Sequence, residues 1–183
     1  FMPKPIKGLC GSGMHTHVSL HSADGTNVFR TRDAKEHISD LGLYFVGGLL
    51  KNIKGSTAVL NSWVNSYKRI VPGFEAPCYI SWGHHNRSAL IRIPASNSLN
   101  RRIELRSPDP AGNPYLQFAV ILAAGLDGIE NKIIPPEPVE ADIFEMSEEI
   151  RLKNKIDSLP GSLGMALQTM EQTKLVRQTL GDH

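Results

Sequence analysis

Apolar residues change their period along the chain, and each period predicts an element. From Met14 to Leu20 they alternate, with Met14, Thr16, Val18 and Leu20 on one side and His15, His17 and Ser19 on the other. That is the period of a strand with one polar face. The Asp-Gly pair of ADGTN (23–27) predicts a turn, with NVFRT returning as the second strand of a hairpin. From Ile38 the apolar positions recur at Leu41, Phe45, Leu49 and Ile53, the spacing of an amphipathic helix. Gly42, Gly47 and Gly48 weaken it, each costing about 1 kcal/mol against alanine inside a helix. A second helix is expected over roughly 56–67, ended by Pro72 and Gly73.

Beyond that helix the pattern shortens again. VPGFEAP (71–77) sets two prolines and a glycine around one acid, which predicts a loop presenting Glu75. SALIRIP, from Ser88, and RRIELR (101–106) have the composition of strands. In the second, Ile103 and Leu105 face one way while Arg102, Glu104 and Arg106 line the other. After the turn-rich SPDPAGNP, residues 115–132 form the most apolar stretch, expected as a helix buried on much of its circumference. The prolines of IPPEPVE (134–140) end it. The remainder suggests two surface helices, the second started by Ser162.

Composition narrows the class. A chain of 183 residues, 40% hydrophobic and 21% charged, is sized for one domain with a real core. Its formal net charge of +2 speaks against a dedicated nucleic-acid surface, although arginines gather between residues 87 and 106. Two scattered cysteines, Cys10 and Cys78, form neither a disulfide framework nor a thiolate zinc site, which favours a reducing, cytoplasmic compartment. The longest apolar run, FAVILAAGL (118–126), falls short of the roughly 20 residues that cross a bilayer, so no membrane association is expected. The abrupt start at FMPKP and the end at LGDH suggest an excised piece of a longer protein.

The candidate chemistry has two readings. His15 and His17, at i and i+2 on a strand, can reach one site, where neutral imidazole suits a Mg, Mn or Zn ion or a phosphate; they can equally be solvent-facing residues after a turn. Glu104 can bind a hard cation, and Arg102 and Arg106 anionic oxygens, or the three can be a solvated, charge-paired strand face. Arg69, Arg87 and Arg92 lie beside turns and strand ends, where side chains scattered in sequence can converge on a polyanion or serve only solubility. Glu75 is a plain exposed acid unless its loop covers a site. His84 and His85 show no ligand partner at close spacing.

The order of the segments goes further than any one of them. MPKPIKG with GSGMHTHVSL, then NSYKRIVPGFEAP, then NRSALIRIP, then RRIELRSPDPAGNPYL, resembles the catalytic domain of type I glutamine synthetases in a single register from residue 1 to about 160. The resemblance implies an α+β fold of the glutamine synthetase/guanidino kinase type, with a mainly antiparallel sheet carrying the site and helices packed behind it. It implies ATP-dependent ligation of ammonia to glutamate through a γ-glutamyl phosphate, with Mg²⁺ or Mn²⁺ as cofactor. In that family His15 and Glu104 match metal ligands, and His17, Ser19 and Arg92 match contacts to ATP. Gly11, Arg69 and Arg106 match contacts to glutamate, Arg87 the arginine shared between glutamate and the transferred phosphate, and Glu75 the glutamate of a flap that closes over the substrate.

The resemblance also marks departures. Cys10 stands where many relatives have asparagine near bound glutamate. The stretch SNSLNRR is one residue shorter than in some relatives and lacks a lysine near the nucleotide, leaving the contact at Leu99 or Asn100 open. Phe144 stands where the adenylylated branch has its tyrosine, so adenylylation there is not expected. The family's N-terminal β-grasp domain, with most of the metal carboxylates, would precede Phe1, so residues 1–183 are expected to be a single, partial catalytic domain. In the family, neighbouring subunits of a double-ring dodecamer share each site, so this piece alone should be inactive. A relative joining glutamate to a polyamine or other amine, or a non-catalytic structural relative, are the alternatives.

Overall fold

The computed structural model describes residues 1–31, 38–95 and 98–181. A four-stranded mixed sheet lies at its centre in the order β1 (Thr16–Val18), β4 (Ile103–Leu105), β3 (Ile91–Arg92), β2 (Trp82–Gly83). The β1/β4 and β3/β4 pairings are antiparallel and β2/β3 is parallel. The fold is therefore α+β as expected, with antiparallel pairing at both edges of β4.

Helix α1 (Asp40–Leu60) begins at Ser39, whose hydroxyl accepts a hydrogen bond from the Gly42 amide. Helix α2 (Pro114–Glu130) begins at Asn113, whose side chain accepts from the amides of Tyr115 and Leu116, with Pro114 in the first turn where no amide is needed. The two pack on each other through glycine. A Cβ on Gly48 would lie 2.2 Å from the Ala124 carbonyl oxygen, and one on Gly128 would lie 2.0 Å from that of Tyr44. The residues that lowered the helix expectation are thus the ones that let the helices approach. Phe45, Leu49 and Ile53 of α1 and Val120 and Ile121 of α2 share one core with Ile91, Ile103 and Leu105 of the sheet.

Four expectations need correction. Residues 56–67 are not a separate helix: α1 runs through to Leu60, and only Val64–Lys68 follows, as a 3-10 turn. The helix stops at Asn61, whose side chain is drawn away to the Ser107 carbonyl and Asp109. NVFRT does not form a strand; a single bridge, His21 to Asn27, closes the turn. Asn27 then commits its amide to the carbonyls of Leu99 and Arg101, and Phe29 turns into the core. Helix α2 is not buried around most of its surface, because Tyr115, Leu116, Phe118, Leu122 and Leu126 are exposed along one side. Three short helices, α3 (Glu148–Lys153), α4 (Leu163–Glu171) and α5 (Lys174–Leu180), close the chain where two were expected. Ser162 caps α4 as its sequence suggests. Part of SNSLNRR lies outside the described residues. Among the described residues no helix is long and apolar enough to cross a membrane.

Candidate functional site

Register builds the first half of the site. His17 pairs with Glu104 across β1/β4, and Arg92 pairs with Glu104 across β3/β4. Directly opposed residues share a face, so one row of the sheet presents imidazole, carboxylate and guanidinium side by side. His15, two residues before His17, joins the same face. Glu104 is only 2% exposed. His15 Nδ1 lies 3.1 Å and His17 Nε2 3.7 Å from its Oε1, and Arg92 Nε donates to its Oε2 at 2.5 Å.

Burial pushes the Glu104 carboxyl up, but hydrogen bonds from His15 and Arg92, with the charges of both, more than offset it. Its pKa falls from 4.5 to about 2. His17 Nδ1 accepts from Arg102 Nε at 3.2 Å, which fixes its proton on Nε2, toward Glu104. Burial first, then the charges of Arg102 and Arg92, holds the His17 pKa below its ordinary value against the pull of Glu104, so this imidazole is neutral at pH 7.

The donor set also fits a hard cation in part. Adjacent ligands of an octahedral Mg²⁺, each about 2.1 Å from the ion, stand about 3 Å apart. His15 Nδ1 and Glu104 Oε1 are 3.1 Å apart. They supply one nitrogen and one carboxylate. Among the described residues no group of three or more His, Cys, Asp or Glu side chains could hold a metal.

The second half is a cavity of about 60 Å³ lined by Gly11, Gly13, His15, Arg69, Glu75 and Arg106 among others. Arg69 follows the 3-10 turn and is 3% exposed. Its Nη1 donates to the Ser107 carbonyl at 2.9 Å and its Nη2 to that of Arg106 at 3.2 Å. Burial lowers its pKa to about 10 against the opposing charge of Asp109, so it stays cationic at neutral pH. Both glycines of the GSG turn must lack side chains here: a Cβ on Gly13 would meet Arg69 Nη2 at 2.4 Å, and one on Gly11 would meet the Pro3 carbonyl oxygen at 2.0 Å.

Arg106 is equally confined. It donates to the carbonyls of Arg87 and Ala89, and its Nη2 reaches that of Glu75 at 3.5 Å. Burial lowers its pKa against the pull of Glu104 and Glu75. Glu75 itself is exposed on its loop, where Gly73 takes φ +86° and Lys4 lies over the Phe74 ring. A second cavity, of about 450 Å³, is lined by Glu75, Arg87, Arg106, Phe144 and Cys10 among others.

The structure therefore brings together Gly11, His15, Arg69, Glu75 and Arg106, sets Arg87 beside Glu75 and Arg106, and gathers His15, His17, Arg92 and Glu104 on the sheet. His15 belongs to both groups. Ser19 stands apart, exposed and 3.3 Å from His21 Nε2. His84 does have a partner: its Nδ1 lies 2.9 Å from Glu140 Oε1, and its amide donates to the same oxygen. Sequence reasoning missed Asp109 and Asn61, both fully buried beneath Arg69: SPDPAGNP has the composition of a linker, and Asn61 falls inside the stretch 56–67 expected to be helical. Aspartate followed by proline inside a turn carried no signal that the carboxylate points inward.

The α+β domain thus sets a carboxylate between imidazole and guanidinium groups on one sheet face, beside a cavity walled by pinned arginines, an arrangement whose charge suits anionic oxygens. Residues 1–183 match the family described as glutamine synthetase, catalytic domain, and the chain belongs to it. It is 56% identical over 182 residues to a glutamine synthetase of Pyrococcus woesei, covering 100% of this chain and 40% of that protein. It is 53% identical over 183 residues to one from Clostridium saccharobutylicum, covering 100% and 41%. Among solved structures it resembles an ADP complex of GmaS, with a TM-score of 0.86 at 37% identity over 100% of this chain and 42% of that one. The chain thus spans about two-fifths of the length of these relatives.

Proposed function

We propose that the protein containing this chain is a glutamate–ammonia ligase: ATP phosphorylates the glutamate side chain, and ammonia displaces phosphate from the acyl phosphate to give glutamine. The observation that carries the reading is the convergence of Arg69, Arg106, Gly11 and Glu75 on one cavity that also touches His15 of the Glu104 cluster. Relatives named glutamine synthetase at 50–56% identity favour ammonia over a larger amine.

In this reading Arg69 and Arg106 bind the carboxylates of glutamate with guanidinium groups already oriented by backbone carbonyls, so little ordering remains to be done on binding. Gly11 offers its backbone at the cavity wall. Arg87 stands where the side-chain carboxylate and the transferred phosphoryl meet, and His17, Ser19 and Arg92 serve the nucleotide. The Glu75 loop closes over glutamate, keeps water from the acyl phosphate, and its carboxylate attracts ammonium and accepts its proton. Mg²⁺ or Mn²⁺, held in part by His15 and Glu104, supplies neutralisation of phosphate charge during transfer.

Residues 1–183 act as one domain of a cytoplasmic homo-oligomer, a dodecamer, in which a neighbouring subunit completes each site with its own N-terminal domain. Phe144, lacking a hydroxyl and packed 6.3 Å from the Tyr79 ring, takes no adenylyl group. The test is steady-state assay of the full-length protein with glutamate, MgATP and either ammonium or putrescine, following both phosphate and the amide product. Glutamine formed from ammonium is expected. Turnover with putrescine but not ammonium would overturn the proposal.

A further inference from the structure

Beneath Arg69 lies a buried polar group that the reaction as described does not use. Asp109 is 0% exposed, as are Asn61 and Gln117. Asn61 Nδ2 donates to Asp109 Oδ2 at 3.0 Å and also to the Ser107 carbonyl at 2.9 Å. That carbonyl receives Arg69 Nη1 at 2.9 Å. The Ala111 amide donates to Asp109 Oδ1 at 3.1 Å, the Asp109 amide donates to the Leu60 carbonyl at 3.2 Å, and Gln117 Nε2 donates to the Asp109 carbonyl at 3.1 Å. The end of α1, the start of α2 and the strap 106–111 therefore meet on this one residue.

We infer that Asp109 is a positioning residue for the glutamate subsite, holding Arg69 in place through Asn61 and the Ser107 carbonyl. The inference rests on the proposed ligase reading for the identity of the ligand, and on geometry for the connection. Burying a carboxylate whose donors are a side-chain amide and a backbone amide is costly for stability alone. An asparagine or an apolar residue would fill the same space more cheaply. Its negative charge makes sense against the buried guanidinium above it, and it opposes the effect of burial on Arg69. Tyr67 feels the same charge: burial, and then Asp109, raise its phenol pKa.

The surroundings show the same priority. Asn61 Oδ1, Ser107 Oγ, Gln117 Oε1 and Tyr67 Oη are buried without a hydrogen-bond partner among the described residues. Four unpaired polar atoms around one carboxylate are unfavourable for folding, and such concentrations occur where a network serves a site. Asn61 spends its donor on the Ser107 carbonyl that receives Arg69 and on the Asp109 carboxylate, and Gln117 on the carbonyls of Leu60 and Asp109, each at the expense of its own acceptor.

The test uses the full-length enzyme with Asp109→Asn, which keeps shape and removes charge. A KM for glutamate raised about tenfold is expected, with the KM for ATP within twofold of wild type. A glutamate KM within twofold of wild type, or equal rises in both constants with a lowered thermal midpoint, would overturn the inference by reducing Asp109 to a structural residue. Should Asp109→Asn fail to assemble, Asn61→Ser keeps the carboxylate and cuts the link to Ser107, and the same split between the two constants decides. Wild-type enzyme without glutamate-dependent turnover would instead refute the ligase reading, so the two failures are distinct.

Discussion

Replacing Gly13 by alanine tests the proposed glutamate subsite with a single methyl group. The new Cβ would stand 2.4 Å from Arg69 Nη2 and 3.2 Å from both Arg69 Cζ and His15 Cδ2, where ordinary contact begins at 3.4 Å. The guanidinium must therefore retreat by about 1 Å, the shortfall from ordinary contact. Retreat strains the bonds to the carbonyls of Ser107 and Arg106, at 2.9 and 3.2 Å. Losing one hydrogen bond to a charged group costs about 1.5–3 kcal/mol. Carried into glutamate binding, that is roughly a 10- to 150-fold rise in KM. The assay is steady-state kinetics of the full-length enzyme, varying glutamate and ATP separately. Gly161→Ala is the control, because its Cβ would meet nothing within 4 Å. A glutamate KM for Gly13→Ala within twofold of wild type, or a Gly161→Ala effect of equal size, would refute the assignment of Arg69 to the glutamate pocket.

Other perturbations test the parts separately. The Glu104 pKa, depressed from 4.5 to about 2, corresponds to stability on the order of 3 kcal/mol that is present above about pH 4.5 and lost as pH falls through about 2. Denaturant unfolding in the presence of a chelator should therefore show Glu104→Gln well below wild type at pH 7, with the gap narrowing toward pH 2; a constant gap would count against the ion cluster. Asn113→Ala removes the side chain that caps α2 and should cost about 1 kcal/mol in the same assay, with kinetic constants unchanged. Gly48→Ala drives a Cβ to 2.2 Å from the Ala124 carbonyl oxygen and should cost about 3 kcal/mol or prevent folding, whereas a helix-propensity argument alone predicts stabilisation. A more stable Gly48→Ala protein would show that α1 and α2 can separate.

How much was legible follows from the range of each signal. Alternation at 14–20 and 101–106 gave the polar faces of β1 and β4 correctly, because period-2 geometry is local. That these two faces adjoin, placing His15 against Glu104 across 89 residues of sequence, is register, which residue composition does not encode. Gly48 weakens a helix on propensity alone, because propensity counts backbone entropy and cannot count the neighbouring helix that a side chain would exclude. The apolarity of 115–132 identified a helix but not its environment: the same residue types line the core at Val120 and Ile121 and face outward at Phe118 and Leu122. Asp109 was invisible because its meaning lies in Arg69, brought over it by a 3-10 turn where a helix was expected.

The strands that carry the site are two or three residues long, too short for ladder bonds alone to hold its geometry rigid. Buried polar side chains take over the task by bonding to backbone carbonyls. Arg106 ties the carbonyls of Arg87 and Ala89, Asn86 those of Val139 and Ala141, and Asn61 that of Ser107. Two of the arginines proposed to bind substrate, Arg69 and Arg106, are thus also struts of the scaffold. Lysine cannot replace either, since a single ammonium lacks the planar fork that spans two carbonyls while presenting charge to a cavity. Loss of activity on mutating Arg106 consequently reports substrate contact only if the positions of Arg87 and Glu75, which its bonds fix, are shown to survive. Gly13→Ala and Asp109→Asn leave all the arginines in the chain and displace or unbalance one of them, so they separate the two roles that direct substitution would merge.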